Sequence, residues 1–322
     1  MRRFVLPVCL CLITTELMIA QQLPVFSQYT FDAFLLNPAA AGSEGYTTIN
    51  VASRLQWMPV DGAPRTCVLA MQTRLYKNVF KPGLHSVRRR YTRPKRSGKV
   101  GLGFNLTNDN AGAFNRYYMQ FSYAFHMNLA RAQLSLGSSI KLLESQIDVN
   151  KLIFYDGKDK LLLAGNRPIY AVDLDFGLYY TNQYMFAGVS VENITKLFNY
   201  IPLYPLEVTL VRGYNLIAGY NYKINPEFAI EPSLYFKSND FLMNQLDANV
   251  RFIISGSYWV GCSYRTGNTL SYFCGIKVSK LYFGYAYDQY LTQIHHLGST
   301  HEIMMAVKLG DNVKRYKWLE RY

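Results

Sequence analysis

The stretch Leu134-Ser135-Leu136-Gly137-Ser138-Ser139-Ile140-Lys141-Leu142 decides the fold. Leu134, Leu136, Ile140 and Leu142 fall on one side of an extended chain, and Ser135, Gly137, Ser139 and Lys141 fall on the other, because successive side chains of a strand point to opposite faces. The pattern recurs along the chain. Val172, Leu174, Phe176 and Leu178 oppose Asp173, Asp175, Gly177 and Thr181, and similar alternation runs through 100–107, 270–278 and 303–309. No segment longer than about ten residues carries a stripe at the 3.6-residue helical period. The chain reads as all-β.

Composition narrows the choice among all-β folds. Of 322 residues, 50% are hydrophobic and 15% aromatic, but only 17% are charged. Disorder needs the opposite balance and is excluded. After the first 20 residues no run approaches the ~18 consecutive apolar residues of a spanning helix. A soluble sandwich would turn Lys, Glu and Thr toward water. Here the polar faces are mostly Gly, Ser, Asn and Tyr, and aromatics flank the apolar faces at Tyr117 and Tyr118, Tyr179 and Tyr180, Tyr220 and Tyr222, and Tyr282 to Tyr290. Aromatics at strand ends suit a lipid–water interface. The expected fold class is a transmembrane antiparallel β-barrel with an N-terminal plug-like segment.

Strands are expected near 46–57, 65–75, 99–107, 116–128, 133–146, 170–181, 184–195, 207–223, 227–237, 245–255, 258–265, 269–278, 281–290 and 301–309, which makes 14. An even number brings both chain ends to one side of the membrane. The turns after the fourth, sixth, eighth, tenth and twelfth strands are tight, while 147–169 and 196–206 are long. Short turns mark the periplasmic end of such barrels.

Arg2 and Arg3 precede the apolar run Phe4 to Ile13, and Ala20 precedes Gln21 and Gln22, the arrangement of a secretory signal peptide. The expected organisation is a signal peptide at 1–20, an N-terminal periplasmic or plug segment at 21–45, an outer-membrane barrel at 46–310 and a C-terminal periplasmic tail at 311–322. Within 21–45, Phe26, Phe31, Phe34, Leu35 and Leu36 need burial, and Asn37-Pro38 breaks any helix. The segment is expected to fold into or under the barrel and narrow the lumen; the alternative is a periplasmic tether ordered by a partner.

Several motifs then stand out. Phe26-Ser27-Gln28-Tyr29-Thr30-Phe31 is followed by Leu35-Leu36-Asn37-Pro38-Ala39, by Arg54-Leu55-Gln56-Trp57 and by Asp61-Gly62-Ala63-Pro64-Arg65-Thr66. Near the end stand Gly284-Tyr285-Ala286-Tyr287-Asp288 and His301-Glu302-Ile303. Together these resemble the PorP/SprF family of type IX secretion outer-membrane proteins from Bacteroidetes, across nearly the whole mature chain. The tail from Asp311 to Tyr322 and a long basic insertion depart from the family pattern. The resemblance implies a barrel serving protein secretion and surface attachment, including the gliding-motility branch. It implies partners among periplasmic ring or lipoprotein subunits, or secreted cargo bearing a C-terminal sorting domain. The motif positions Phe26, Ser27, Gln28, Tyr29, Asn37, Pro38, Trp57, Asp61, Gly62, Ala63 and Pro64 carry it. It brings no catalytic residues, and no cofactor is expected.

The remaining features bear on chemistry of their own. Net charge is +13, and nine basic residues with no acid lie between Lys77 and Lys99. Arg88, Arg89, Arg90, Arg93, Lys95 and Arg96 form the candidate partner-binding loop, placed by strand parity in the periplasm, where it would meet an acidic protein face or anionic lipid. A solvated insertion without a partner is the plainer reading, and export argues against nucleic acid. The expected lumen faces carry Arg54, Lys141, Lys237, Arg251, Arg265, Lys277 and Lys308 against Asp173, Asp175, Glu231, Asp247, Asp288 and Glu302. That balance suggests mutual pairing over a single-sign selectivity ring. The histidines lack metal-site spacing, no nucleophile elbow occurs, and Cys67, Cys262 and Cys274 are expected as free thiols. The expected function is a non-enzymatic secretion subunit in the outer membrane, in contact with its lipid; the alternative is a passive solute channel.

Overall fold

The computed structural model describes residues 26–78, 96–129, 131–152, 168–195, 211–240, 243–291 and 298–310. The signal region, most of the basic loop and the tail from Asp311 lie outside them. The strands are β1 (Thr47–Pro59), β2 (Arg65–Asn78), β3 (Arg96–Ala111), β4 (Phe114–Asn128), β5 (Ala132–Ile147), β6 (Ile169–Asn182), β7 (Met185–Glu192) and β8 (Gly213–Tyr220). They continue with β9 (Tyr222–Lys223), β10 (Phe228–Asn239), β11 (Met243–Ile254), β12 (Tyr258–Arg265), β13 (Thr269–Val278), β14 (Leu281–Tyr290) and β15 (Gly298–Leu309). Both β8 and β9 pair with β10, so they form one stave interrupted at Asn221. Every neighbour is antiparallel in chain order, and β15 pairs with β1 through Arg54↔Glu302 and Ile49↔Val307. Among the described residues this closes a 14-stave barrel.

The barrel is inverted relative to a soluble protein. Phe121, Ile140 and Ile303 are 57%, 55% and 55% exposed, whereas Asp173, Asp247 and Glu302 are 1%, 0% and 0% exposed. Alternation produces this directly, because the apolar row of each strand points outward and the polar row inward. It also corrects one expectation. In the pairs Tyr117–Tyr118 and Tyr179–Tyr180 adjacent side chains must point opposite ways, and Tyr118 and Tyr179 are buried inside the barrel. Tyr117, Tyr220 and Tyr222 do face outward.

Strand lengths differ around the wall. β3 and β5 have 16 residues each, β12 only 8. Beyond the apolar belt the outward row of the taller wall turns polar, where Asn108 Nδ2 donates to Asn115 Oδ1 at 2.9 Å. The end carrying residues 46 and 310 has the tight turns 183–184, 224–227, 255–257 and 279–280, and there Leu129 N donates to Ala132 O at 2.8 Å. The opposite end is not uniformly long, since 112–113 is a two-residue turn with Gly112 at φ +61°. The expected strand 184–195 stops at Glu192, because Asn193 adopts φ +55° and leaves the ladder. Cys262 pairs with Tyr272 and Cys274 with Val260, so the two thiols are offset and free.

Candidate functional site

The chemistry of the molecule is concentrated inside the ring of strands, where residues 26–45 meet the polar inner wall. The segment runs as three short 3₁₀ turns, Tyr29–Phe31, Ala33–Leu35 and Pro38–Ala40. The starts of the second and third are set by side chains: the Asp32 carboxylate accepts from Phe34 N, and Asn37 Oδ1 accepts from Ala39 N, with Pro38 at the first position of its turn. Pro38 suits that position because its missing N–H would have no partner there.

The segment touches strands from all around the barrel. Ser27 N donates to Glu302 Oε1 and Oε2 at 3.1 and 2.9 Å, and Ser27 Oγ donates to Asp288 Oδ1 at 2.7 Å. Arg54 pairs with the same two carboxylates, at 3.0 Å to Asp288 and in direct contact with Glu302. One guanidinium and two donors from Ser27 thus compensate two buried acids. Trp259 Nε1 donates to Gln28 Oε1 at 3.2 Å, and the Tyr29 hydroxyl bonds Ser233 Oγ at 3.1 Å while its ring packs 5.3 Å from Tyr235. On the other side Asp32 accepts from Gln72 Nε2 at 3.1 Å and from Asn50 Nδ2. Gly42 N donates to Gln72 Oε1 at 2.9 Å, and His126 Nε2 donates to Ala41 O at 3.0 Å.

Asn37 reaches into the wall itself. Its Nδ2 donates to Leu178 O at 2.8 Å and Val189 O at 3.1 Å, backbone carbonyls of β6 and β7. A side chain reaches the plane of a sheet only where the wall lacks Cβ atoms. A methyl added at Gly177 would lie 2.0 Å from Asn37 Oδ1, and one at Gly137 would lie 2.3 Å from Ala39 N. The inward glycines of β5 and β6 are therefore the floor on which residues 37–39 rest.

The inner charges are extensively paired. Lys141 Nζ lies 3.3 Å from Asp175 and 3.4 Å from Glu192, Arg265 lies 2.9 Å from Asp247, and Arg251 contacts Glu231. Glu44 holds Lys308 at 2.6 Å. Sequence reasoning missed Asp32, Glu44 and Glu192. Glu192 was legible, since it continues the inward row of Phe186, Gly188 and Ser190; Asp32 and Glu44 sit on irregular backbone where no period marks a face.

The structure divides the sequence-predicted motif residues into two groups. Phe26, Ser27, Gln28, Tyr29, Asn37 and Pro38 converge on the inner wall and are buried. Trp57, Asp61, Gly62, Ala63 and Pro64 belong to the β1–β2 hairpin, at the opposite end from residues 46 and 310. There Trp57 adopts φ +48° in a bulge, Gln56 N donates to Pro64 O at 3.0 Å, and Gly112 N donates to Gly62 O at 2.9 Å. This second group pins two neighbouring hairpins together. Of the candidate loop, Arg88, Arg89, Arg90, Arg93 and Lys95 lie outside the described residues, and Arg96 opens β3.

A cavity of about 80 Å³ remains between the segment and the wall, lined by Phe26, Tyr29, Leu36, Gln120, Lys141 and Lys237 among others.

Comparison with known proteins adds a family. A family model described as type IX secretion system membrane protein PorP/SprF matches residues 18–307. Among solved structures, the KdgM porin is similar at 10% identity and TM-score 0.38, covering 82% of this chain and 99% of that one. A mutant of the Rh. blastica porin is similar at 7% identity and TM-score 0.35, with the same coverage of 82% and 99%. No curated protein matches the chain.

Proposed function

The chain belongs to the PorP/SprF family of type IX secretion system membrane proteins, and on that premise we propose that it is a non-enzymatic outer-membrane subunit of that system. In this reading it anchors or binds secreted cargo or periplasmic machinery, and the gliding-motility branch is one setting for it. Residues 26–45 act as a plug, so that the barrel offers its ends as binding surfaces while the lumen stays closed.

One observation supports the plug most strongly: the segment hydrogen-bonds β1, β6, β7, β14 and β15 together, through Asp32, Asn37, Ser27 and their partners. An open solute channel would leave its polar inner wall to water. Here much of that wall is satisfied by the chain itself. The basic loop 77–99, by strand parity on the side of the chain termini, is the proposed contact for an acidic periplasmic partner, and outer-membrane lipid surrounds the belt.

Two measurements test this together. Planar-bilayer recordings of the purified protein should give no steady conductance, and in-cell cross-linking followed by pull-down should recover secretion-system components. Sustained porin-like conductance with recovery of only porins and lipid would favour the passive channel and overturn the secretion role.

A further inference from the structure

The outer wall carries a concavity that the function above does not use. Two outward rows cross β4 to β7 in register: Phe125, Leu136, Leu178 and Val189 in one, Tyr123, Ser138, Phe176 and Val191 in the next. Seven of these eight side chains are large and apolar. Ser138 is the exception, and its small side chain leaves a notch between Tyr123 and Phe176. The result is a groove of about 540 Å³ lined by both rows, with the backbone of Gly137 and Gly177 at its floor. The opposite side of that floor is the seat of Ala39 and Asn37, so only one thickness of backbone separates the groove from the N-terminal segment.

We propose that this groove is a binding site for one acyl chain of a membrane phospholipid, in the leaflet nearer the chain termini. Three observations fix the occupant. The groove lies within the apolar belt, flanked on its far side by Phe121, Ile140 and Leu174, so it is continuous with the hydrocarbon interface. It begins close to Leu129 and to the tight turn 183–184, which places it in that leaflet. A peptide strand laid there would bring backbone amides into hydrocarbon without partners, which is strongly disfavoured. A methylene chain brings none, and in a concave groove it meets apolar atoms on several sides and so gains more dispersion contact than on a convex wall.

The test uses the full protein in nanodiscs with a phosphatidylethanolamine whose acyl chain carries a diazirine. Photolabelling mapped by mass spectrometry is expected to concentrate on Tyr123, Phe125, Leu136 and Phe176 over Val260, Tyr272 and Tyr285, outward residues of the opposite wall. Ser138→Phe fills the notch and should abolish that concentration, while Ser138→Ala keeps the notch and the labelling. Heat-modifiable migration on gels verifies that each variant remains a folded barrel; if Ser138→Phe does not fold, Ser138→Leu takes its place. Even labelling around the belt, labelling unchanged by filling the notch, or recovery of a cross-linked protein from the groove in native membranes would each overturn the proposal.

Discussion

Asn37→Ala is the most informative single change. It removes an amide that donates to Leu178 O at 2.8 Å and Val189 O at 3.1 Å and accepts from Ala39 N at 2.9 Å, all in a residue 2% exposed. Each buried hydrogen bond contributes about 0.5–1.5 kcal/mol net, so losing three weakens docking of the segment by about 2–4 kcal/mol. At roughly 1.4 kcal/mol per factor of ten, the undocked population rises about 30- to 700-fold. The assay is maleimide labelling of Ala40→Cys in a background with Cys67, Cys262 and Cys274 replaced by Ser. Ala40 is buried when the segment is seated, and with fast reclosing the labelling rate follows the open population. Gly177→Ala attacks the same contact from the wall side and should accelerate labelling alike, because its methyl cannot coexist with Asn37 Oδ1. An unchanged rate in both variants, with the barrel still folded by gel migration, would refute the claim that Asn37 holds the segment.

Other outcomes follow from the same contacts. Arg54→Leu leaves Asp288 and Glu302 buried beside each other without their guanidinium partner, and should lower stability by about 3–5 kcal/mol in urea titration; full stability would mean the cluster is solvated. Broad-specificity protease on the purified barrel should spare residues 26–45, and their rapid loss would count against a plug. Deleting 83–97 should cut recovery of periplasmic partners in cross-linked pull-downs, and wild-type recovery would remove any role for the basic loop. In proteoliposomes the outward thiols of Cys262 and Cys274, exposed on the outer face of the barrel, should react with a membrane-soluble maleimide and resist a charged one if lipid covers that face.

The staves were legible because a barrel with lipid outside and polar matter inside imposes a period of two on nearly every strand. Leu134 to Leu142 carries the pattern with one exception, Ser138 on the outward row, and the expected 133–146 became Ala132–Ile147. The inner charges were legible for the same reason, since Arg54, Lys141 and Asp175 sit on the polar row of clear strands. What could not be read was which charges meet. Arg54 and Glu302 lie at opposite ends of the chain, and only closure of the last strand on the first makes them partners. The contacts of residues 26–45 were illegible in detail because 3₁₀ turns have no long period, and Ser27, Gln28, Tyr29 and Asn37 find wall partners remote in sequence. Asn37 could be read as a helix breaker, but not as a side chain that reaches β6 and β7.

The glycines of the inner row carry the last step of the argument. A glycine in a strand interior costs roughly 0.5–1 kcal/mol relative to alanine, and it removes a side chain that would have packed. Gly101, Gly137 and Gly177 all occupy such positions, on β3, β5 and β6. A barrel whose lumen held only water would gain by having alanine or serine at each. At each of the three, however, an added Cβ would fall within 2.3 Å of an atom of residues 37–41: Ala41 O for Gly101, Ala39 N for Gly137 and Asn37 Oδ1 for Gly177. At these three positions the wall is therefore shaped to seat this segment, and the weakness introduced into three strands is offset by the hydrogen bonds the segment makes there. A barrel built in this way has its N-terminal residues as a structural component of its interior, and reaches its full set of inner contacts only after both β15 and the segment have come into place.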